Sequence, residues 1–230
     1  MGNPKEVADK AHAYGAKVFS DVTNLEHAKK AHDVGCDGFI AVGQGAGGHA
    51  GPYPLQVLIP ALKKHFPNTP VVAAGGIASG AGILSVLAAG AAGASVGTIF
   101  IASEEAAVSA EYKKAIVDSG MQDIVMTTKI SGTPCTIINT PEAKKIGYEQ
   151  NFMEKMLSQN PRTKKYFKMM VQLRGMKWLE RSAGVGNYHT LWCAGQSVEM
   201  VEKILPCEKI IENLIRQTEI AGIEIKEVFK

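Results

Sequence analysis

A glycine-rich segment with a single histidine, GQGAGGHAG from Gly43 to Gly51, follows the apolar run Gly38 to Val42. Glycines remove the side chains that would hold a flat ligand or its phosphate away from the main chain. The imidazole of His49 adds one group that titrates near neutrality, as a general base requires. Two further glycine signals follow, VVAAGGI from Val71 to Ile77 and ASVGTIF from Ala94 to Phe100. Gly75 and Gly76 stand before a helix expected to open at Ser79, so their amides and the helix N-terminus can hold a phosphate. Gly97 and Thr98 offer another amide pair and a hydroxyl at the next strand end. The plainer readings are a tight turn at Gly75-Gly76 and a structural role for a lone histidine. Two such loops in succession match the phosphate site after the last two strands of many β/α barrels, and His49 sits at a strand's C-terminal end, where barrel enzymes do chemistry.

The elements that must present these residues are legible from periodicity and punctuation. Asn3 caps a helix whose first residue is Pro4, Glu6 reaches back, and Ala8, Ala11 and Tyr14 continue it toward Gly15. Ala16 to Val22 reads as a strand. Thr23 with Glu26 repeats the capping pattern and opens a helix through Val34 that stops at Gly35. Cys36 to Val42 is the second strand, Pro54 to His65 a helix, Pro70 to Ala74 the third strand. A small-residue helix runs from Ser79 toward Ala89, and Gly93 to Gly97 is the fourth strand. Apolar strands ending in glycine and alternating with helices predict parallel pairing through right-handed crossovers. The expected fold class is α/β, a TIM-barrel-related unit of four parallel strands. A full barrel takes eight units and about 250 residues; residues 1–103 supply four, which predicts a partial barrel.

The remainder, residues 104–230, changes character. A helix through about Val117 leads to the threonine-rich stretch DIVMTTKISGTPCTIINTP and then to a polar, methionine-rich region from Glu142 to Arg181. The segment YHTLWCAGQS, Tyr188 to Ser197, precedes two helices expected at Val198 to Leu205 and Glu208 to Ala221. With no further strand and helix repeat, this part reads as an appended, mainly helical cap.

Composition excludes several classes. The 25 basic and 22 acidic residues leave a net charge of +3, too mild for a nucleic-acid binder. Cys36, Cys135, Cys193 and Cys207 have no CxxC spacing, which argues against a metal or disulfide framework. The start MGNPKE lacks an apolar targeting segment and the Ser or Thr of a myristoylation signal, so a soluble, cytoplasmic protein is expected. His12, His27, His32 and His65 fall on helices as surface or packing residues, and His189 stays unassigned. A basic run from Arg162 through Lys164, Lys165, Lys168, Arg174 and Lys177 to Arg181 is interrupted by Phe167, Met169, Met170 and Met176. That mixture describes a solvated helix covering a core, with an acyl-carrier docking face as the functional alternative.

GQGAGGHAG, VVAAGGIASG, GASVGTIF and WCAGQS, in this order, resemble the nitronate monooxygenase family, formerly called 2-nitropropane dioxygenases, which is related to flavin-dependent enoyl-acyl-carrier-protein reductases. The resemblance runs from Asn3 over most of the chain. It implies an FMN-containing β/α barrel with a helical second domain. Gly75, Gly76, Gly97 and Thr98 would bind the FMN phosphate, His49 would lie beside flavin and substrate, and Gly195 with Gln196 would close over the cofactor. Many family members carry a glutamate where this chain has Gly45. The family's barrel also has four N-terminal strands, and this chain begins in the helix before the fifth. A half barrel exposes two strand edges and its apolar interior. The expectation is therefore a homodimer, a separately encoded partner supplying the missing half barrel, or a truncated product.

The activity implied is oxidation of alkyl nitronates by O₂ to a carbonyl compound and nitrite. Three alternatives stand beside it: an NAD(P)H-dependent flavin reductase acting on enoyl thioesters or quinones, a phosphate-binding barrel enzyme without flavin, and a noncatalytic fragment or interaction subunit.

Overall fold

The computed structural model describes residues 4–129, 133–149 and 191–230. The basic run from Arg162 to Arg181, the Asn3 cap and His189 lie outside the described residues. The chain forms two compact units, one from Met1–Ala46, Ala50–Val96 and Ile211–Lys230, the other from Gly47–His49 and Gly97–Ile210.

The first unit is built on a four-stranded parallel sheet. Its strands β1 (Phe19–Val22), β2 (Gly38–Val42), β4 (Val71–Ala74) and β5 (Gly93–Ser95) lie in the order β1-β2-β4-β5. Register pairs Phe19 with Gly38, Phe39 with Val71, and Val72 with Gly93. Helices α1 (Lys5–His12), α2 (Leu25–Asp33), α3 (Leu55–His65) and α4 (Gly80–Ala88) alternate with these strands, as the sequence pattern predicts.

Helix α3 shows how burial fixes the arrangement. Leu55, Leu58, Ile59 and Leu62 fall at i, i+3, i+4 and i+7, and all are buried in one core with Phe39, Val71 and Ala73. Phe66, just past the helix, meets Phe39 edge-on with ring centroids 5.2 Å apart. Starts and stops follow side-chain chemistry. Asn24, rather than Thr23, caps α2 by accepting from the His27 N–H at 2.8 Å, while Thr23 Oγ1 bonds His27 Nδ1 at 2.9 Å. Asn is at least as good a cap as Thr, so the frame moves by one residue.

The second unit contains α5 (Thr98–Ile101), α6 (Ala110–Asp118), α7 (Pro141–Ile146) and a 3₁₀ turn at Gln196–Met200. It also holds a three-stranded antiparallel sheet that periodicity does not reveal: β3 (Gly48–His49), β7 (Cys135–Ile138) and β6 (Ile124–Thr127), in the order β3-β7-β6. All four β7 residues are buried, so the strand carries no alternation. The helix expected at Val198 to Leu205 is only the 3₁₀ turn, and the last helix, Cys207–Val228, runs past Gly222 instead of stopping at Ala221. A glycine inside a helix costs about 1 kcal/mol, which neighbouring turns can offset.

One polar knot ties the first unit's opening elements together. The Asp37 carboxylate accepts from the Val18 N–H at 2.8 Å and from Lys17 Nζ at 2.8 Å, and it bonds His12 Nε2 at 2.8 Å. The Lys17 hydrogen bond first, then those from Val18 and His12, hold the carboxyl well below its usual range. A carboxylate with a depressed folded-state pKa stabilises above its unfolded value near 3.9, and that contribution disappears as pH falls through the folded value. Asp37→Asn should therefore melt below the wild type at neutral pH, and the gap should begin to narrow below about pH 4 and close only once the folded carboxyl is itself protonated. Thermal denaturation followed by circular dichroism across that range measures it; a gap independent of pH would show that the knot does not depend on the charge.

Candidate active-site loops

In the first unit the loops after β2 and β4 touch main chain to main chain. A Cβ placed on Gly45 would lie 3.0 Å from Gly76 Cα, and one on Gly75 would lie 2.7 Å from the Ala46 N. Gly75 and Gly76 both adopt positive φ, 111° and 73°, where an L side chain is strained. A side chain at Gly45 would need the Gly76 main chain to give by a few tenths of an ångström. Past this contact, Ser79 caps α4 by accepting from the Gly82 N–H at 3.2 Å. The Gly80 N–H donates to Gln217 Oε1 at 3.0 Å.

The second unit holds the other candidates. Gly97 precedes α5 with φ −116°, and no atom lies within 4 Å of a Cβ built on it. Thr98 is buried, and its Oγ1 accepts from the Gly195 N–H at 3.2 Å. The Thr98 hydroxyl hydrogen therefore stays available to an anion, while the Gly195 amide is committed. Gln196 opens the 3₁₀ turn directly after it. Gly47 packs against the same segment, since a Cβ there would come 2.7 Å from the Gly195 N.

Among the described residues, the N–H groups of Gly75, Gly76, Gly97 and Thr98 donate to no acceptor. Unused amides beside space that lacks a side chain suit a phosphate. Each candidate loop thus fits part of a phosphate-bearing cofactor on its own geometry. Among the described residues, no group of three or more His, Cys, Asp or Glu could hold a metal, and no helix is long and apolar enough to cross a membrane.

His49 sits on β3, paired antiparallel with Cys135 of β7, while Gly48 pairs with Thr136. Its ring reaches solvent, yet protein crowds part of it, and that burial lowers the imidazole pKa from its usual 6.5. The solvent contact keeps the effect modest, but its direction favours the neutral imidazole, which can accept a proton.

One residue that supports this region, Tyr112, is not singled out by sequence reasoning. Tyr112 donates its hydroxyl to the Cys193 carbonyl at 2.5 Å and stacks on Trp192, centroids 5.5 Å apart and planes 9° from parallel. It thereby fixes the Trp-Cys-Ala-Gly segment that leads into Gln196. Burial pushes the Tyr112 hydroxyl pKa up, so it remains a donor. A tyrosine on an amphipathic helix gives no sequence signal for that task.

The nitronate monooxygenase family model matches residues 1–217. The "Probable nitronate monooxygenase" of Staphylococcus saprophyticus is 31% identical over 229 residues, covering 94% of this chain and 61% of that protein. A (3aS,4S,5R,7aS)-5-hydroxy-7a-methyl-1-oxo-octahydro-1H-indene-4-carboxyl-CoA dehydrogenase of Rhodococcus jostii is 34% identical over 174 residues, 76% of this chain and 48% of that one. Among solved structures, FabK from Thermotoga maritima matches 99% of this chain and 69% of its own with a TM-score of 0.82 and 28% identity. The chain spans about half to three-fifths of the length of the two curated relatives.

The glycine geometry separates two kinds of substitution. Gly75→Ala combines positive φ with a main-chain clash and should cost about 1–3 kcal/mol, whereas Gly97→Ala should change stability by less than about 0.5 kcal/mol. Urea denaturation of the two variants checks the contrast; equal losses would mean that the loop contact at Gly75 relaxes freely.

Proposed function

The chain belongs to the nitronate monooxygenase family, and from that premise we propose that it carries the phosphate-binding and proton-handling part of an FMN enzyme that oxidises alkyl nitronates with O₂ to a carbonyl compound and nitrite. The observation that carries the reading is His49, a histidine kept toward its neutral form on a strand that ends a glycine loop.

Gly75, Gly76, Gly97 and Thr98 would hold the FMN phosphate through main-chain N–H groups and the Thr98 hydroxyl. Gly195, whose own amide binds Thr98, would place Gln196 over the cofactor. FMN, when bound, supplies the electron transfer and the reaction with O₂. The protein's share is orientation and charge. Neutral His49 accepts the α-proton of a nitroalkane at a ring nitrogen, and the imidazolium so formed then steadies the nitronate anion. With a preformed nitronate only the second task remains. The chain spans only part of the matched relatives' length, so the rest of the flavin surface would be supplied by residues outside it.

A second reading is favoured by one observation, the 34% identity to a carboxyl-CoA dehydrogenase. The same cofactor loops would then serve an oxidoreductase of acyl thioesters; run as the NAD(P)H-dependent flavin reductase that the sequence resemblance also implies, it would take its electrons from a nicotinamide. Anaerobic mixing separates the two. Bleaching of the visible flavin band by a nitronate without NADH supports the monooxygenase; bleaching by NADH alone supports the reductase. A chain that takes up no FMN on reconstitution overturns both, and light scattering during size exclusion on the same sample reports whether a second copy is present.

Two further outcomes follow. Gly97→Ala should weaken FMN retention about tenfold or more while the fold is kept, measured by the fluorescence of released flavin. With a neutral nitroalkane, the acid limb of kcat/KM should lie below the ordinary histidine value of about 6.5 and vanish in His49→Ala. A limb unchanged in that variant would remove His49 from the proton transfer.

A further inference from the structure

Cys135 and Cys193 stand apart from the other two cysteines. Their Sγ atoms are 3.9 Å apart and share a hydrogen bond, although 58 residues separate them in sequence. Cys135 is held in the middle strand of the antiparallel sheet, 1% exposed, directly opposite His49. Cys193 is only partly buried, and its Cβ lies 4.0 Å from where a Cβ on Gly48 would be. Tyr112 fixes the Cys193 carbonyl, and Cys193 bridges Ile137 of β7. A more accessible thiol against a buried one, both on anchored main chain, is the arrangement in which the first is oxidised and the second resolves it.

We propose that Cys193 and Cys135 form a peroxide-responsive dithiol that closes to a disulfide directly behind the His49 strand. Cys193 is the more exposed of the two thiols, so it is the sulfur that meets peroxide. The hydrogen bond they share, and then burial, raise the Cys135 pKa, and the same bond lowers that of Cys193, which agrees with that order. The Cys193 thiolate displaces hydroxide from hydrogen peroxide: an S–O bond forms, the O–O bond breaks, and the hydroxide takes up the proton released from Cys193 to become water. Cys135 then attacks the Cys193 sulfenic acid. The S–S bond forms, the S–O bond breaks, and the leaving hydroxide departs with the Cys135 proton as a second water. Two thiols lose two electrons and one peroxide gains them. Closure from 3.9 Å to the roughly 2.05 Å of a disulfide draws the Cys193 segment toward β7. That segment runs on to Gly195, where Thr98 holds the amide. The dithiol does not depend on the cofactor assignment, because its chemistry needs only the two cysteines and peroxide.

The chain suits a direct test, since trypsin places its four cysteines on four different peptides. The full chain is treated with stoichiometric hydrogen peroxide, digested without reductant and analysed by mass spectrometry, with free thiols counted in parallel. The expected result is a fall from four thiols to two, with the Cys135 and Cys193 peptides joined and released again by dithiothreitol. In Cys135→Ser, Cys193 should stop as a sulfenic acid that dimedone traps. Four surviving thiols, a link to Cys36 or Cys207, or a dimedone-trapped Cys193 in the wild type would overturn the proposal. The wild-type chain alone gives these results, so they stand even if the variant does not fold.

Discussion

The contact of main chain on main chain between Gly45-Ala46 and Gly75-Gly76 is the constraint around which the rest of the first unit is arranged. β2 and β4 are paired neighbours, with Val42 opposite Ala74, so their C-terminal loops start side by side. Any side chain at Gly45 or Gly75 would have to be accommodated by moving main chain, because the nearest atoms are backbone. Exchanging side chains for this proximity exposes amide groups. The Gly75 and Gly76 N–H groups have no acceptor among the described residues, and with Gly75 half-buried and Gly76 exposed they remain open to water or to an anion.

The same segment changes role within three residues. Gly45 and Ala46 belong to the first unit, whereas Gly47, Gly48 and His49 belong to the second. In the second unit β3 is only two residues long and owes its position to β7, whose other edge pairs with β6. Such a strand contributes few hydrogen bonds of its own. Its geometry is inherited from a neighbour that is fully buried and from Gly47, which packs against the Gly195 main chain. His49 is thus placed by packing at a distance in sequence, through residues 135–138 and 191–195.

This division explains what the sequence discloses. The parallel strands are legible because each is an apolar run ending in glycine, and the phosphate candidates are legible for the same reason. The antiparallel sheet is not, because Cys135–Ile138 is buried on both faces and Gly48-His49 is too short to have a period. The final helix runs past the expected Ala221 through Gly222 to Val228, although glycine is a common helix stop, because tertiary context can override local preference. Cysteine spacing failed in a different way. Cys135 and Cys193 give no motif, since the contact between them is made by folding and not by local sequence.

His49 also shows why residue type alone underdetermines mechanism. Sequence gives a histidine near a glycine loop, and its role depends on which protonation state the surroundings favour. Partial burial lowers its pKa, and that direction matters more than the size. A raised value would have made it a standing cation, suited to holding an anion but unable to accept a proton. On the proposed reading, a lowered value would let one ring do both in sequence, as base toward a neutral carbon acid and then as cation toward the anion it has produced. The partial burial that favours the neutral base also raises the energy of the imidazolium, so the product anion would have to be near when the proton arrives. A glycine loop admits that approach, because no side chain from Gly47 or Gly48 stands between the strand and a ligand.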